Sequence, residues 1–201
     1  MADSSSLAQV GGHGAWDKEQ AMQVSKKGLV LKPIQGDARG QREAEFFQSV
    51  SSSSDPAVRV FLDLMPHFHG VSRRKKSDGT PGEFIMMENL TNNLSKPCIM
   101  DIKIGARTWG PDASESKRKQ QDASYAATKT AFGFCVPGLS AHRGENKDMV
   151  VVKGKDYGKS LTKENISDML ELYLDITTNP ELAKKIARIF VGRVGWVGRR
   201  R

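Results

Sequence analysis

The chain has 201 residues, with 31 Lys and Arg against 23 Asp and Glu, a formal charge of +8. Hydrophobic residues make up 38% and charged residues 27%, too apolar for a fully disordered chain and too polar for a membrane protein. No stretch approaches the ~18 uninterrupted apolar residues of a spanning helix, so no transmembrane segment is expected. The opening MADSSSLAQVGGHG lacks a basic start and an apolar core, which predicts no secretory signal. Two cysteines, Cys98 and Cys135, are too few for a disulfide framework or a zinc site, and both are expected as small core hydrophobes in a reduced, intracellular setting. The positive excess predicts an anionic partner: nucleic acid, acidic lipid or a phosphorylated small molecule.

In chain order, residues 1–27 are Ser/Gly-rich and aperiodic and read as a flexible lead-in. Gly28–Pro33 reads as a short strand that ends on Lys32 and is stopped by proline. Gly36 to Gly40 reads as a loop. From Arg42 to Val50, the spacing of Ala44, Phe47 and Val50 predicts a helix with one buried face, Phe46 lying beside it. Ser51–Asp55 reads as a turn. Val58–Leu64 and His67–Val71 suit a helix end or a strand, and Ser72–Gly82 a solvated loop. Glu83–Leu90 (EFIMMENL) reads as a buried strand running into a connector. In Pro97–Ile104 a strand would turn Met100, Ile102 and Ile104 one way and Asp101 and Lys103 the other. Asp112 to Thr130 reads as one polar helix with little core face, Phe132–Leu139 and Val150–Val152 as strands, and Lys153–Ser160 as a loop. Ile166, Met169, Leu170, Tyr173 and Leu174 predict an amphipathic helix from Thr162. A further helix is expected from Asn179, with Pro180 at its first position and an apolar stripe of Leu182, Ile186, Ile189 and Phe190. The last ten residues, GRVGWVGRRR, break that pattern. Strands come first and helices later, an α+β order compatible with two lobes.

Three constellations could carry chemistry. Lys32 at a strand end, with Glu43 eleven residues on in a helix, is the arrangement by which kinases hold the α- and β-phosphates of ATP. In kinase-like folds an apolar strand leads to an adenine-binding hinge, which places Glu88 and Leu90 where such contacts form. Asp101 and Lys103 would share the open face of their strand. Elsewhere, Arg73–Lys76 is a four-cation cluster of the kind that addresses nuclear import or lipid. His67 and His69, two residues apart with no third ligand, read as packing rather than metal binding.

The segment Pro97-Cys98-Ile99-Met100-Asp101-Ile102-Lys103-Ile104-Gly105 matches P-x-x-x-D-x-K-x-G, and the sequence thereby resembles the inositol polyphosphate kinase family, in particular its multikinase branch. Leu31-Lys32, Arg39-Gly40, Arg42-Glu43, Arg107-Thr108-Trp109, Phe132-Gly133-Phe134, Pro137-Gly138-Leu139 and Asp156-Tyr157-Gly158-Lys159 extend the likeness over residues 28–190. No insertion resembles a calmodulin-binding region. The resemblance implies a two-lobed, protein-kinase-like ATP-grasping fold. Residues 28–96 would form an N-lobe with the ATP lysine and the hinge, and 97–190 an inositol-binding segment and part of the C-lobe. Residues 191–201 would be an atypical Arg/Gly-rich tail. It implies transfer of the ATP γ-phosphoryl group to hydroxyls of inositol tris- and tetrakisphosphates, with phosphoinositides as further candidates. Lys32, Glu43, Glu88, Leu90 and Asp101 would bind the nucleotide, Asp101 at the ribose. Lys103 would be catalytic and, with Lys117, Gln120 and Gln121, would bind substrate. The cofactors would be ATP and Mg²⁺, and the protein a monomer of nucleus and cytoplasm.

Two family segments, a serine-rich S-S-L-L and an I-D-F whose aspartate holds the metal, do not occur in this sequence. Ser5-Ser6-Leu7 and Asp175-Ile176 do not fit them. The chain therefore reads as a C-terminally truncated kinase with no metal-binding aspartate and impaired activity. Two other readings stay open: a catalytically inactive inositol-phosphate-binding or scaffolding module, and a nucleic-acid binder acting through Arg73–Lys76 and Arg199–Arg201.

Overall fold

The computed structural model describes residues 10, 21–36, 38–76, 79–144, 146–175, 180–181 and 184–185. The expected helix from Asn179 lies mostly outside them, the Arg/Gly-rich tail wholly so. The chain divides into two compact units, Met1–Ser95 and Lys96–Arg201.

The first unit is built on an antiparallel sheet in the order β1-β2-β4-β3, with β1 Gln23–Val24, β2 Val30–Pro33, β3 Phe68–Lys75 and β4 Pro81–Met87. β1 corrects the reading of the whole of 1–27 as lead-in: Gln23 and Val24 pair with Leu31 and Val30 across a turn closed by Ser25 and Leu29. β4 is central, and its consecutive Phe84 and Ile85 are both buried, as a strand covered on two faces requires. Helix α1, Ala38–Ser52, lays Ala44 and Phe47 onto Val30, Ile85 and Met87. A side chain the size of Phe47 contributes about 2 kcal/mol by leaving water, Ala44 less than half of that. The helix starts inside the expected Gly36–Gly40 loop, because Ala38, Arg39, Gln41 and Arg42 are strong helix formers that outweigh Gly40. Asp55 caps α2, Pro56–Arg59, which passes into a 3₁₀ turn, Val60–Asp63. The expected basic loop is also corrected. Arg73, Arg74 and Lys75 lie on β3, where an edge strand facing water tolerates cations.

The second unit holds a three-stranded antiparallel sheet, β5-β6-β7, formed by Ile99–Ile104, Phe134–Arg143 and Met149–Lys153. The single helix expected over Asp112–Thr130 is two: α3 Glu115–Ala123 and α4 Ala126–Phe132. Tyr125 between them takes a left-handed backbone (φ 59°), which no continuous helix accepts. The loop expected at Lys153–Ser160 contains helix α5, Lys155–Ser160. It forms because Gly158 lets the helix press against β6: a Cβ there would stand 2.1 Å from the Val136 carbonyl oxygen. Helix α6, Ile166–Leu174, packs Ile166 and Met169 onto Val136, Leu139, Ala141 and Leu161, with Met100 and Ile102 at the margin. Ile104, expected to share the face of Met100 and Ile102, is exposed. Cys135 is buried but Cys98 is exposed, against expectation; its Sγ accepts from the His142 amide and its carbonyl from the Tyr173 phenol. No described helix is long and apolar enough to cross a membrane.

Candidate functional site

In the first unit, Lys32 is in register with Ile85, so it lies on the sheet face that α1 covers. Its Nζ donates to Glu43 Oε1 at 2.5 Å. Both side chains are about one-third exposed (32% and 35%), so the pair adds little to stability but keeps an ammonium oriented at a wet surface. The Glu88 amide donates to the His67 carbonyl at 2.9 Å, and its carboxylate accepts from the His67 amide at 3.3 Å. Glu88 thereby ends β4 with its side chain turned to the chain itself. The Leu90 side chain projects into solvent. The His67 and His69 rings lie tilted, 4.7 Å apart, His67 just before β3 and His69 on it, and both residues are exposed.

In the second unit, Lys103 donates to both carboxylate oxygens of Asp101, at 2.8 and 3.0 Å. Alternation along β5 sets them on one face, and the register with β6 shifts between them. The lysine is half exposed and the aspartate more sheltered. Gly105 ends the strand at φ 115°, a conformation that L side chains rarely adopt, and its amide donates to the Gly133 carbonyl. The chain then turns into α3, capped by Ser114 Oγ on the Lys117 amide.

Lys117, Gln120 and Gln121 all stand on α3. Lys117 and Gln120 are exposed, whereas Gln121 is half-buried, its Oε1 accepting from Thr108 Oγ1 at 3.0 Å. Its carbonyl accepts from Lys129 Nζ at 2.5 Å. Lys129 is almost wholly buried, and sequence reading missed it because a lysine in a polar helix looks solvated. Also missed were Trp109, whose indole N–H donates to Asp122 Oδ1 at 2.7 Å, and Tyr125. The Arg-Thr-Trp following the motif was the available signal for Trp109. Burial pushes the Tyr125 phenol up, helped by Cys135, Asp101 and Asp156 nearby. Burial also pushes the Cys135 thiol up, against the pull of Lys129 and Lys103. Among the described residues no group of three or more His, Cys, Asp or Glu is placed to hold a metal ion.

Each unit thus carries an ammonium held by one carboxylate at a solvent-accessible position. The second adds a helix bearing a lysine and two amides. These are groups that neutralise and orient a phosphorylated ligand.

The sequence model of the family described as "Inositol polyphosphate kinase" matches residues 84–196. The chain belongs to that family. It is 36% identical over 135 residues to inositol polyphosphate multikinase alpha of Arabidopsis thaliana, a match covering 67% of this chain and 46% of that protein. It is 34% identical over 164 residues to the inositol polyphosphate multikinase of Homo sapiens, covering 80% of this chain and 38% of the relative. Among solved structures it resembles inositol phosphate multikinase Ipk2 of S. cerevisiae, crystallised in complex with ADP and Mn²⁺. There the TM-score is 0.61 at 25% identity, covering 82% of this chain and 65% of that one. The α+β fold is therefore that of the family. The chain spans less than half the length of these two curated relatives.

Proposed function

We propose that this chain binds ATP and transfers its γ-phosphoryl group to a hydroxyl of an inositol polyphosphate, a tris- or tetrakisphosphate. The observation that carries this reading is the Asp101–Lys103 pair, set on one strand face within the segment that matches the family. In this reading Lys32, oriented by Glu43, holds the nucleotide phosphates. The backbone around Glu88 and Leu90 takes the adenine, and Asp101 the ribose. Lys103 contacts the acceptor and the migrating group, while Lys117, Gln120 and Gln121 address the other phosphates. The substrate hydroxyl oxygen attacks the γ-phosphorus, its proton passing to solvent, as the bond to the β-phosphate bridge breaks and ADP leaves. The residues act by position and charge, because such a transition state asks for little covalent chemistry from the protein. The Ipk2 structure contains ADP and Mn²⁺, which supports a nucleotide taken up with a divalent ion. We read the physiological pair as ATP and Mg²⁺.

The test is transfer of label from γ-labelled ATP to inositol trisphosphate. Wild type should turn over, and Lys103→Ala should lose about 10²- to 10³-fold, as when one charge-stabilising donor is removed. Turnover untouched by the substitution contradicts the site. Binding of inositol trisphosphate without turnover leaves a binding module in place of an enzyme. The reading extends to phosphoinositide headgroups, which offer the same ring phosphates, and to a monomer of nucleus and cytoplasm, supported by the exposed Arg73, Arg74 and Lys75. Vesicle sedimentation, gel filtration and cell fractionation test these three.

A further inference from the structure

Helix α3 raises a physical question: none of its nine residues is buried, so no hydrophobic face holds it. Isolated helices shorter than about 12–15 residues are marginal in water even with good composition. Its own stabilisers are few: the Ser114 cap and an exposed Glu115–Lys119 pair at 2.8 Å. Something outside the helix must fix it.

Thr108 and Lys129 hold it at Gln121, and Trp109 supplies the anchor at Arg118 and Asp122. The guanidiniums of Arg107 and Arg118 each lie over its ring, 4.8 Å from the centroid. Its N–H donates to Asp122 at 2.7 Å. Arg118 is in turn locked to the preceding loop, donating through Nε to the Ala113 carbonyl (2.8 Å) and through Nη2 to the Pro111 carbonyl (3.0 Å). Arg118 and Asp122 are four residues apart and share a helix face. At 100° per residue that face lies about a third of a turn from Lys117 and about half a turn from Gln120. The contacts therefore grip α3 from one side and leave those two side chains free to meet a ligand. Both ends of the clamp are short-range and geometric, a hydrogen bond and cation–π contacts.

We propose that Trp109 is a positioning residue, a clamp that fixes α3 so that Lys117, Gln120 and Gln121 meet an inositol polyphosphate in register. This rests on the reading of α3 as the inositol-phosphate-binding helix. Trp109 acts through the helix and does not touch the ligand.

The experiment uses the full chain as wild type, Trp109→Ala, Trp109→Phe and Lys103→Ala. It measures inositol trisphosphate and ADP affinities by calorimetry, melting temperature, and amide hydrogen exchange across residues 115–123. Trp109→Ala should speed exchange in α3 and weaken inositol trisphosphate about ten- to a hundredfold, the scale of a misplaced binding group. ADP affinity and melting temperature should stay at wild-type values. Trp109→Phe keeps the stacking but loses the hydrogen bond, and should fall between. Wild-type exchange and affinity in Trp109→Ala overturn the proposal. So does a parallel loss of ADP affinity and melting temperature, which marks a general folding defect. If wild type takes up no inositol trisphosphate, the ligand reading falls. If wild type binds it and Lys103→Ala binds equally well, the Lys103 assignment falls. In both cases the exchange data still decide whether Trp109 holds the helix.

Discussion

The same residue type behaves differently in the two cysteines because their surroundings differ. Cys135 is fully enclosed, its thiol pushed up by burial, while Cys98 is open to solvent. A thiolate is the reactive form, so a disulfide reagent should label Cys98 rapidly in the native protein and Cys135 only on unfolding. Two fast thiols, or none, would contradict this. Composition gave no means of separating them, since Pro97-Cys98-Ile99 reads as apolar and the exposure of Cys98 follows from its place just before an edge strand. Lys32 and Glu43 were more legible, because strand and helix patterns set each residue on its element. Lys129 was not, as its burial depends on the break at Tyr125. Glu43→Ala should weaken ADP binding several-fold by freeing the ammonium, with inositol trisphosphate binding unaffected; calorimetry reads both.

At the scale of elements, the strands β2, β4, β5 and β7 and the helices α1 and α6 announced themselves by apolar periodicity. The failures share a cause: helix α5, the split of α3 from α4 and the strand character of Arg73–Lys75 all rest on tertiary contacts that polar sequence does not encode. Gly158 illustrates this. In the sequence it resembles a loop glycine, yet it is where α5 touches the Val136 carbonyl. Gly158→Ala should destabilise the protein by ~1–3 kcal/mol, the usual cost of overpacking. Gly36→Ala, where a Cβ meets nothing within 4 Å, should be close to neutral. Urea midpoints of the two variants check this, and equal midpoints would refute the assigned role of Gly158.

For the molecule as a whole, the +8 charge was a poor guide to function. The tail carries Arg193, Arg199, Arg200 and Arg201, and much of the rest is spread over exposed faces such as β3. A more specific property of the whole is its response to alkali. Tyr125, Tyr157 and Tyr173 are all held above the ordinary phenol range, chiefly by burial. Folding thus favours the protonated phenols. Their contribution is complete below about pH 10, the unfolded value, and is lost as pH rises through the higher folded values. The melting temperature should fall from pH 9 to pH 11. The fall should be shallower in Tyr173→Phe, which removes the phenol that donates to the Cys98 carbonyl at 3.1 Å. Identical slopes would contradict this.

In the proposed function Lys32, in the first unit, holds the nucleotide phosphates and Lys103, in the second, the inositol phosphate. The direct measurement is a crossed calorimetric titration of ADP and inositol trisphosphate into Lys32→Ala and Lys103→Ala. Lys32→Ala should lose ADP and keep inositol trisphosphate, and Lys103→Ala should do the reverse. Equal losses of both ligands in both variants, or no loss in either, would contradict it.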